Sequence, residues 1–120
     1  MTLLMVTLAG AVGVATRYGI SNAFHGDALP WATVAINVAG SFLLGLMIVM
    51  PLSWVEPQMR AALGVGFLGG FTTFSTFSVQ ALLDFDAGEP GRAFLYIGAS
   101  VVLGLAAAAA GFYGGKALFN

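Results

Sequence analysis

The chain has 120 residues, of which 59% are hydrophobic and 8% are charged, with four basic and five acidic side chains and a formal net charge of −1. So few charged groups cannot cover the surface of a water-soluble domain, and a near-neutral chain lacks the basic patch that binds nucleic acid. The sequence contains no cysteine, which excludes a disulfide framework and a thiolate metal site. With a mean hydropathy of +0.95, the composition predicts an integral membrane protein.

Four apolar segments alternate with short segments that contain Pro, Gly and acidic residues. Each is near the ~20 residues that cross the hydrocarbon core of a bilayer. The first lacks the basic start of a secretory signal, so we interpret it as a span. We therefore expect residues 1–120 to form a single all-α transmembrane domain, multi-pass in the cell (inner) membrane. Its approximate spans are residues 3–24, 31–50, 59–83 and 93–113.

Arg17 is the only basic residue inside the first predicted span. It precedes Ser21 by about one helical turn, so its long stem can carry the guanidinium to the lipid headgroups. In the alternative interpretation Arg17 is a cation at a pore mouth, where it raises the local concentration of anions. The sequence leaves both interpretations open.

Asn37, in AINVAGSF, lies near the middle of the second span among apolar neighbours. A buried amide costs roughly a few kcal/mol if it has no partner. Asn37 therefore either forms an interhelical hydrogen bond that holds the bundle together or uses its NH₂ group as a donor to a passing anion. No Asp or Glu lies within a predicted span, so the sequence offers no buried carboxylate that could carry a proton.

The third span contains GGFTTFSTFS, residues 69–78, in which two glycines and five hydroxyl side chains interrupt an apolar helix. Gly69 and Gly70 each weaken a helix by about 1 kcal/mol, and hydroxyl groups compete for the freed backbone. We predict that the third helix is broken near Gly69 to Thr73. Non-helical backbone at this depth must face protein or a water-filled cavity, and its free carbonyls suit a hard cation such as Na⁺. The break therefore predicts a buried ion site.

Three aromatic residues, Phe71, Phe74 and Phe77, follow the glycines at intervals of three, which places them on one stripe of a helix. Such a stripe most often packs in a core or faces lipid. Beside so many hydroxyl groups it also fits a narrow path in which the positive ring edges attract an anion weakly. Hydroxyl and amide donors would replace part of the hydration of that anion.

The positions of the charged and small residues give information on how many chains assemble. Arg60 and Lys116 lie on one side of the membrane, and Arg92, with or without Arg17, lies on the other. This balance gives the positive-inside rule almost no bias, so an antiparallel pair of identical chains is a hypothesis that the count supports. Small residues spaced four apart predict close helix packing, within one chain or between two. They are Ala11, Ala15, Gly19, Ala35, Ala39, Ala107, Gly111 and Gly115.

The motif GGFTTFSTFS in the third span, TRY in the first and NVAGSF in the second together resemble the Fluc (CrcB) fluoride channels. The resemblance covers essentially the whole chain, and TTFSTFS is its most specific part. It implies an antiparallel, dual-topology homodimer with two pores that exports fluoride passively down its electrochemical gradient and relieves fluoride toxicity. The implied partners are the fluoride ion, the lipid bilayer and an identical subunit, with no nucleic acid and no enzymatic activity.

The resemblance also implies roles for individual residues. Asn37 corresponds to the pore asparagine, and Phe74 and Phe77 correspond to the rings that line the fluoride path. The backbone carbonyls of Gly69 and Thr72, from both subunits, would hold a structural Na⁺ at the dimer interface. The remaining implied residues are two hydroxyls near the pore, a polar pair on the fourth span and a vestibule charge on the first: Ser75, Thr76, Tyr96, Ser100 and Arg17.

Gln80 departs from the family pattern, because the family commonly has glutamate at this position. Glutamine keeps a polar group of similar size there. Two other functions fit part of the pattern. A four-span exporter of drugs or cations matches the length and charge balance but lacks the membrane carboxylate. A structural or accessory membrane subunit would leave the hydroxyl-rich break without a purpose.

Overall fold

The computed structural model describes residues 1–24 and 30–120, and every element in these ranges is helical. Four helical segments are long and apolar enough to cross a membrane, which confirms the all-α, four-span architecture. The third of them, Pro57–Asp86, consists of two helices separated by a bend. The helices are α1 (Thr2–Ala23), α2 (Trp31–Val49), α3 (residues 57–71), α4 (Phe74–Asp86) and α5 (Pro90–Phe119).

The ends of the helices follow from turn and cap residues. Pro57 and Pro90 occupy the first turns of α3 and α5, where a missing N–H costs nothing. Gly88, with φ of 75°, makes the turn between α4 and α5 in a conformation that other residues avoid. The helices extend a few residues beyond the apolar spans at several ends. In HGDALP, the first break in the sequence, residues 25–29 lie outside the described part of the chain.

The α3 helix is not uniform along its length. It is α-helical over Pro57–Ala61, π-helical over Ala62–Leu68 and α-helical again over Gly69–Phe71. The Gly69 N–H donates to the Gly64 carbonyl, five residues earlier, which is the π-helical pattern. π-Helical turns are rare and frequently lie at functional sites. Here the π-helical segment leads directly into the bend of the third span.

Close helix contacts hold the bundle together in two pairs, α2 with α5 and α1 with α3. A Cβ atom on Gly111 would collide with the carbonyl oxygen of Phe42, so α2 and α5 meet at backbone distance. A Cβ atom on Gly70 would lie 2.5 Å from the Gly10 carbonyl oxygen, which places α1 against α3 in the same way. Among the small residues spaced four apart in the sequence, Gly111 therefore packs against another helix of the same chain. Gly19 has nothing within 4 Å of a Cβ position.

Arg60 fixes the connection between α2 and α3. Its guanidinium donates from Nη1 to the Met47 carbonyl at 2.5 Å and from Nη2 to the Met50 carbonyl at 3.0 Å. These carbonyls belong to the end of α2, where helical partners are missing, and a cation there also complements the helix dipole. The interaction therefore satisfies backbone groups at one edge of the membrane.

The Gly111 contact predicts a stability difference between two glycines of α5. We expect Gly111→Ala to lower the free energy of unfolding by about 2 kcal/mol, because the methyl group forces α2 and α5 apart. Gly114→Ala is the matched control, since nothing lies within 4 Å of its Cβ position. The free energies of unfolding of both variants are measured by unfolding them in mixed detergent and monitoring the loss of the helical circular dichroism signal. Equal midpoints for the two variants would contradict the backbone contact.

Candidate functional site

The third span is interrupted at two extended residues. Thr72 has φ −87° and ψ 157°, and Thr73 has φ −151° and ψ 118°. The Thr72 N–H still donates to the Leu68 carbonyl at 3.0 Å, and the Thr73 hydroxyl accepts from the Thr76 N–H at 3.3 Å as the N-cap of α4. The predicted break is confirmed. The two glycines before it, however, are helical, and Gly70 packs closely against the Gly10 carbonyl oxygen of α1.

Asn37 holds the break from the neighbouring helix α2. Its Nδ2 donates to the Thr73 carbonyl at 3.0 Å, and its Oδ1 accepts from the Thr73 N–H at 2.8 Å. In a continuous helix the Thr73 N–H would donate to the Gly69 carbonyl instead. Asn37 therefore forms the interhelical hydrogen bonds that the first of its two interpretations predicts. An amide NH₂ has two hydrogens, so one donor is left for another acceptor.

Arg17 reaches the break from the opposite side, on α1. Its Nε donates to the Gly70 carbonyl at 3.0 Å. The helical donor to that carbonyl would be the Phe74 N–H, which lies beyond the bend. The half-buried Arg17 side chain is therefore directed toward the third span, which favours the interpretation of Arg17 as a cation near the break.

A cavity of about 360 Å³ opens beside the break, between α2, α3, α4 and α5. Its walls are mostly apolar, with a few hydroxyl groups and one amide. The Ser100 Oγ is buried and has no hydrogen-bond partner among the described residues. Six of the residues expected to form the functional site line this cavity: Asn37, Gly69, Thr72, Phe74, Phe77 and Ser100.

The aromatic residues near the break divide into two groups. Phe74 and Phe77 lie on α4 with ring centroids 5.8 Å apart and planes inclined at 54°. Phe71 belongs to α3, is buried, and stacks on Phe67 at 5.7 Å. The predicted stripe of three rings is therefore wrong, because the bend separates Phe71 from the other two. The Phe74 side chain is 78% exposed in the single chain.

The other expected site residues lie away from the cavity wall. Tyr96 is fully buried, and its hydroxyl donates to Gln80 Oε1 at 2.7 Å. The Tyr96 ring lies 5.2 Å from that of Phe77. The Thr76 hydroxyl accepts from the Thr73 hydroxyl at 3.0 Å, within the cap of α4. Ser75 is exposed and does not line the cavity.

Some residues of the site did not emerge from the sequence as site residues. Thr73 contributes its backbone to the Asn37 pair and its hydroxyl to the cap of α4. Ser41 lines the cavity one turn after Asn37, so the four-residue spacing in NVAGSF could have indicated it. An ion pair between Asp84 on α4 and Arg92 on α5, at 3.5 Å, was not expected from the sequence.

Comparisons with known proteins agree with the motifs. A family model described as CrcB-like protein, Camphor Resistance (CrcB), matches residues 4–112. A protein of Thermus thermophilus named fluoride-specific ion channel FluC is 42% identical over 119 residues, covering 96% of this chain and 95% of the relative. Proteins with the same name from Hydrogenovibrio crunogenus and Geobacter sulfurreducens are 39% and 41% identical, covering 100% and 98% of this chain and 95% and 98% of the relatives.

These matches extend over nearly the full length of both partners, and they include the segments that carry the quoted motifs. The resemblance inferred from GGFTTFSTFS, TRY and NVAGSF is therefore confirmed. The chain belongs to the CrcB family.

Proposed function

We propose that this protein is a fluoride-specific ion channel, rather than an enzyme, and that it lets fluoride leave the cell passively and so relieves fluoride toxicity. The observation that carries the proposal is the identity of about 40% over nearly the full length to proteins named fluoride-specific ion channels. The four membrane-length helices make it a multi-pass membrane protein. The chemistry of the cavity supports the same function.

The cavity offers donors where a small anion would lose its water. Asn37 has a second amide hydrogen beyond the one bonded to Thr73, and the buried Ser100 hydroxyl lacks a partner in the described part of the chain. Phe74 and Phe77 stand beside these donors, and the positive edges of their rings attract anions weakly. Donors in an otherwise apolar, narrow space favour fluoride over the larger halides, because the smallest ion approaches the donors most closely.

Backbone and charge add to the preference for anions. The N-terminus of α4 lies at the cavity, where Phe74 begins the helix and contributes to the wall. The helix dipole places partial positive charge there. Arg17, on the other side of the break, adds a full positive charge held by the Gly70 carbonyl. No carboxylate lines the cavity in the described residues, so none of these side chains places a negative charge there.

A structural Na⁺ at the dimer interface belongs to this proposal, with the carbonyls of Gly69 and Thr72 as its ligands. These carbonyls suit Na⁺ because the third span is broken beside them. The Thr73 N–H is diverted to Asn37, which removes the helical donor of the Gly69 carbonyl. Unwound carbonyls are suitable ligands for Na⁺. The described residues contain no group of His, Asp or Glu side chains that could hold a metal, so backbone oxygens are the ligands available.

The proposed assembly is an antiparallel, dual-topology homodimer with two pores. The balanced Lys and Arg count supports insertion in both directions. The Phe74 side chain is largely exposed in the single chain although it borders the cavity, which supports a second copy that covers it. Two carbonyls from each chain would then surround one Na⁺.

The direct test is ion efflux from liposomes that contain the purified protein. We expect an ion-selective electrode to record fluoride efflux once a K⁺ ionophore allows charge compensation, with no need for a proton gradient. Chloride efflux in parallel vesicles should stay at the level of protein-free liposomes. Exchange of a lipophilic cation instead would favour a drug or cation exporter, and absence of any flux would favour an accessory subunit.

The Asn37 position offers a sharper prediction. We expect Asn37→Asp to lower fluoride efflux roughly ten-fold or more, because a carboxylate there is negatively charged and cannot donate a hydrogen bond to Thr73. A ten-fold decrease corresponds to about 1.4 kcal/mol of added barrier. Gln58→Glu, the same amide-to-carboxylate change at an exposed position of α3, is the control and should leave efflux unchanged. Wild-type efflux from Asn37→Asp at equal dimer content would contradict the proposed path.

The topology has its own test, independent of the conducted ion. The chain contains no cysteine, so Asn120→Cys places a single thiol at the exposed C-terminus. We expect a membrane-impermeant maleimide to label about half of this variant from outside intact cells, because both orientations are inserted. Full labelling or none would contradict dual topology and leave the fluoride channel itself standing.

A further inference from the structure

Polar residues of α4 and α5 face each other along a line that ends at the cavity. The Arg92 Nη2 lies 3.5 Å from Asp84 Oδ1 at the edge of the bundle. One turn deeper, the Tyr96 hydroxyl donates to Gln80 Oε1 at 2.7 Å. One further turn along α5 brings Ser100, which lines the cavity. Eight residues of helix separate Arg92 from Ser100, a rise of about 12 Å.

The ion pair at the outer end of this line is incomplete. A guanidinium and a carboxylate usually form two parallel hydrogen bonds. Here the single contact between Nη2 and Oδ1 is long, while the Arg92 Nε and the Asp84 Oδ2 are both buried and lack a hydrogen-bond partner in residues 1–24 and 30–120. A buried donor without a partner is costly, so the Arg92 Nε–H favours a third group that can accept from it.

The other cations of the chain are engaged or distant. Arg60 donates to backbone carbonyls at the opposite end of the bundle, and Lys116, near the C-terminus of α5, lies 4.7 Å from the centre of the Phe112 ring. Arg17 donates to the Gly70 carbonyl at the break. The Arg60 Nε is also buried without a partner among the described residues, so Arg92 differs from Arg60 by its position at the head of the line of polar residues.

We propose that Arg92 captures fluoride, or another small monovalent anion, at one entrance of the conduction path, and that Asp84 limits this capture by competing for the guanidinium. The inference rests on the proposed fluoride channel and adds an entrance site to it. Asp84 is 13% exposed and Arg92 41% exposed, so the arginine side of the pair is partly exposed in the single chain although its Nε is buried. An anion that arrives at Arg92 lies at the head of the line that leads past Tyr96 to Ser100.

The test compares two acidic residues of the same helix. Asp84→Asn removes the competitor of the guanidinium, and Asp86→Asn removes an equal charge two residues away at an exposed position. At low fluoride concentration and low ionic strength, we expect Asp84→Asn to raise initial fluoride efflux from liposomes roughly three-fold or more. Asp86→Asn should change it much less. The gain should shrink at about 0.5 M inert salt, since screening then acts over a range of about 4 Å.

Arginine variants test the capturing group. Arg92→Lys should keep most of the efflux because the charge remains, whereas Arg92→Gln should lower it roughly three-fold or more at low salt. Because Arg92→Gln leaves Asp84 unpaired and could destabilise the fold, the double variant Asp84→Asn with Arg92→Gln supplies a second comparison. It contains no charge at either position, and its efflux should fall well below that of Asp84→Asn alone.

Three results would overturn the inference: equal effects of Asp84→Asn and Asp86→Asn, equal efflux from the double variant and Asp84→Asn, or a gain that does not depend on salt. Each would occur against a wild-type protein that conducts fluoride, so the proposed function would stand. Absence of fluoride efflux from the wild type as well would overturn the function together with the entrance site. Size-exclusion chromatography of each variant verifies that equal amounts of folded protein are compared.

Discussion

The two hydrogen bonds between the Asn37 side chain and the backbone of Thr73 are the interaction on which the functional region depends. Inside a bilayer no water is available to satisfy a freed N–H or C=O group, and each unpaired group costs several kcal/mol. A bend in the third span is therefore stable only if a neighbouring helix supplies a donor and an acceptor together. A primary amide does both with one side chain, and Asn37 lies at the level of the bend.

Several features follow from this one contact. Because the Thr73 N–H is occupied by Asn37, the Gly69 carbonyl loses its helical donor, and the interrupted ladder leaves the Gly70 carbonyl to Arg17. The same bend begins a second helix at Phe74, so a positive helix terminus lies at mid-membrane instead of at the surface. The freed carbonyls and the helix N-terminus are the groups to which the proposed function assigns a cation and an anion respectively.

Hydropathy and local motifs predicted a large part of this arrangement, because they report on single segments. Apolar length identified the spans, and GGFTTFSTFS identified the break. The sequence predicted a break near Gly69 to Thr73, and within this range the extended residues are Thr72 and Thr73, whereas Gly70 packs against Gly10. The direction of the Arg17 side chain depends on which helix lies beside α1. Rows of small residues do not specify the partner of each helix, and the positions of Asp84 and Arg92 in the sequence do not reveal that these residues meet.

Gln80 illustrates how one position depends on its neighbours across the helix pair. Its amide oxygen accepts a hydrogen bond from the fully buried Tyr96 hydroxyl, so a neutral acceptor is sufficient to pair this hydroxyl. A carboxylate at position 80 would also accept this hydrogen bond, but it would lie one turn from Asp84 on the same face of α4, where like charges repel. Asp84 itself lies 3.5 Å from Arg92 at the edge of the bundle, where the arginine side chain is partly exposed. With an amide at 80 and a carboxylate at 84, the negative charge of this face stays at the bundle edge, and the position one turn closer to the cavity is neutral, as the proposed anion path requires.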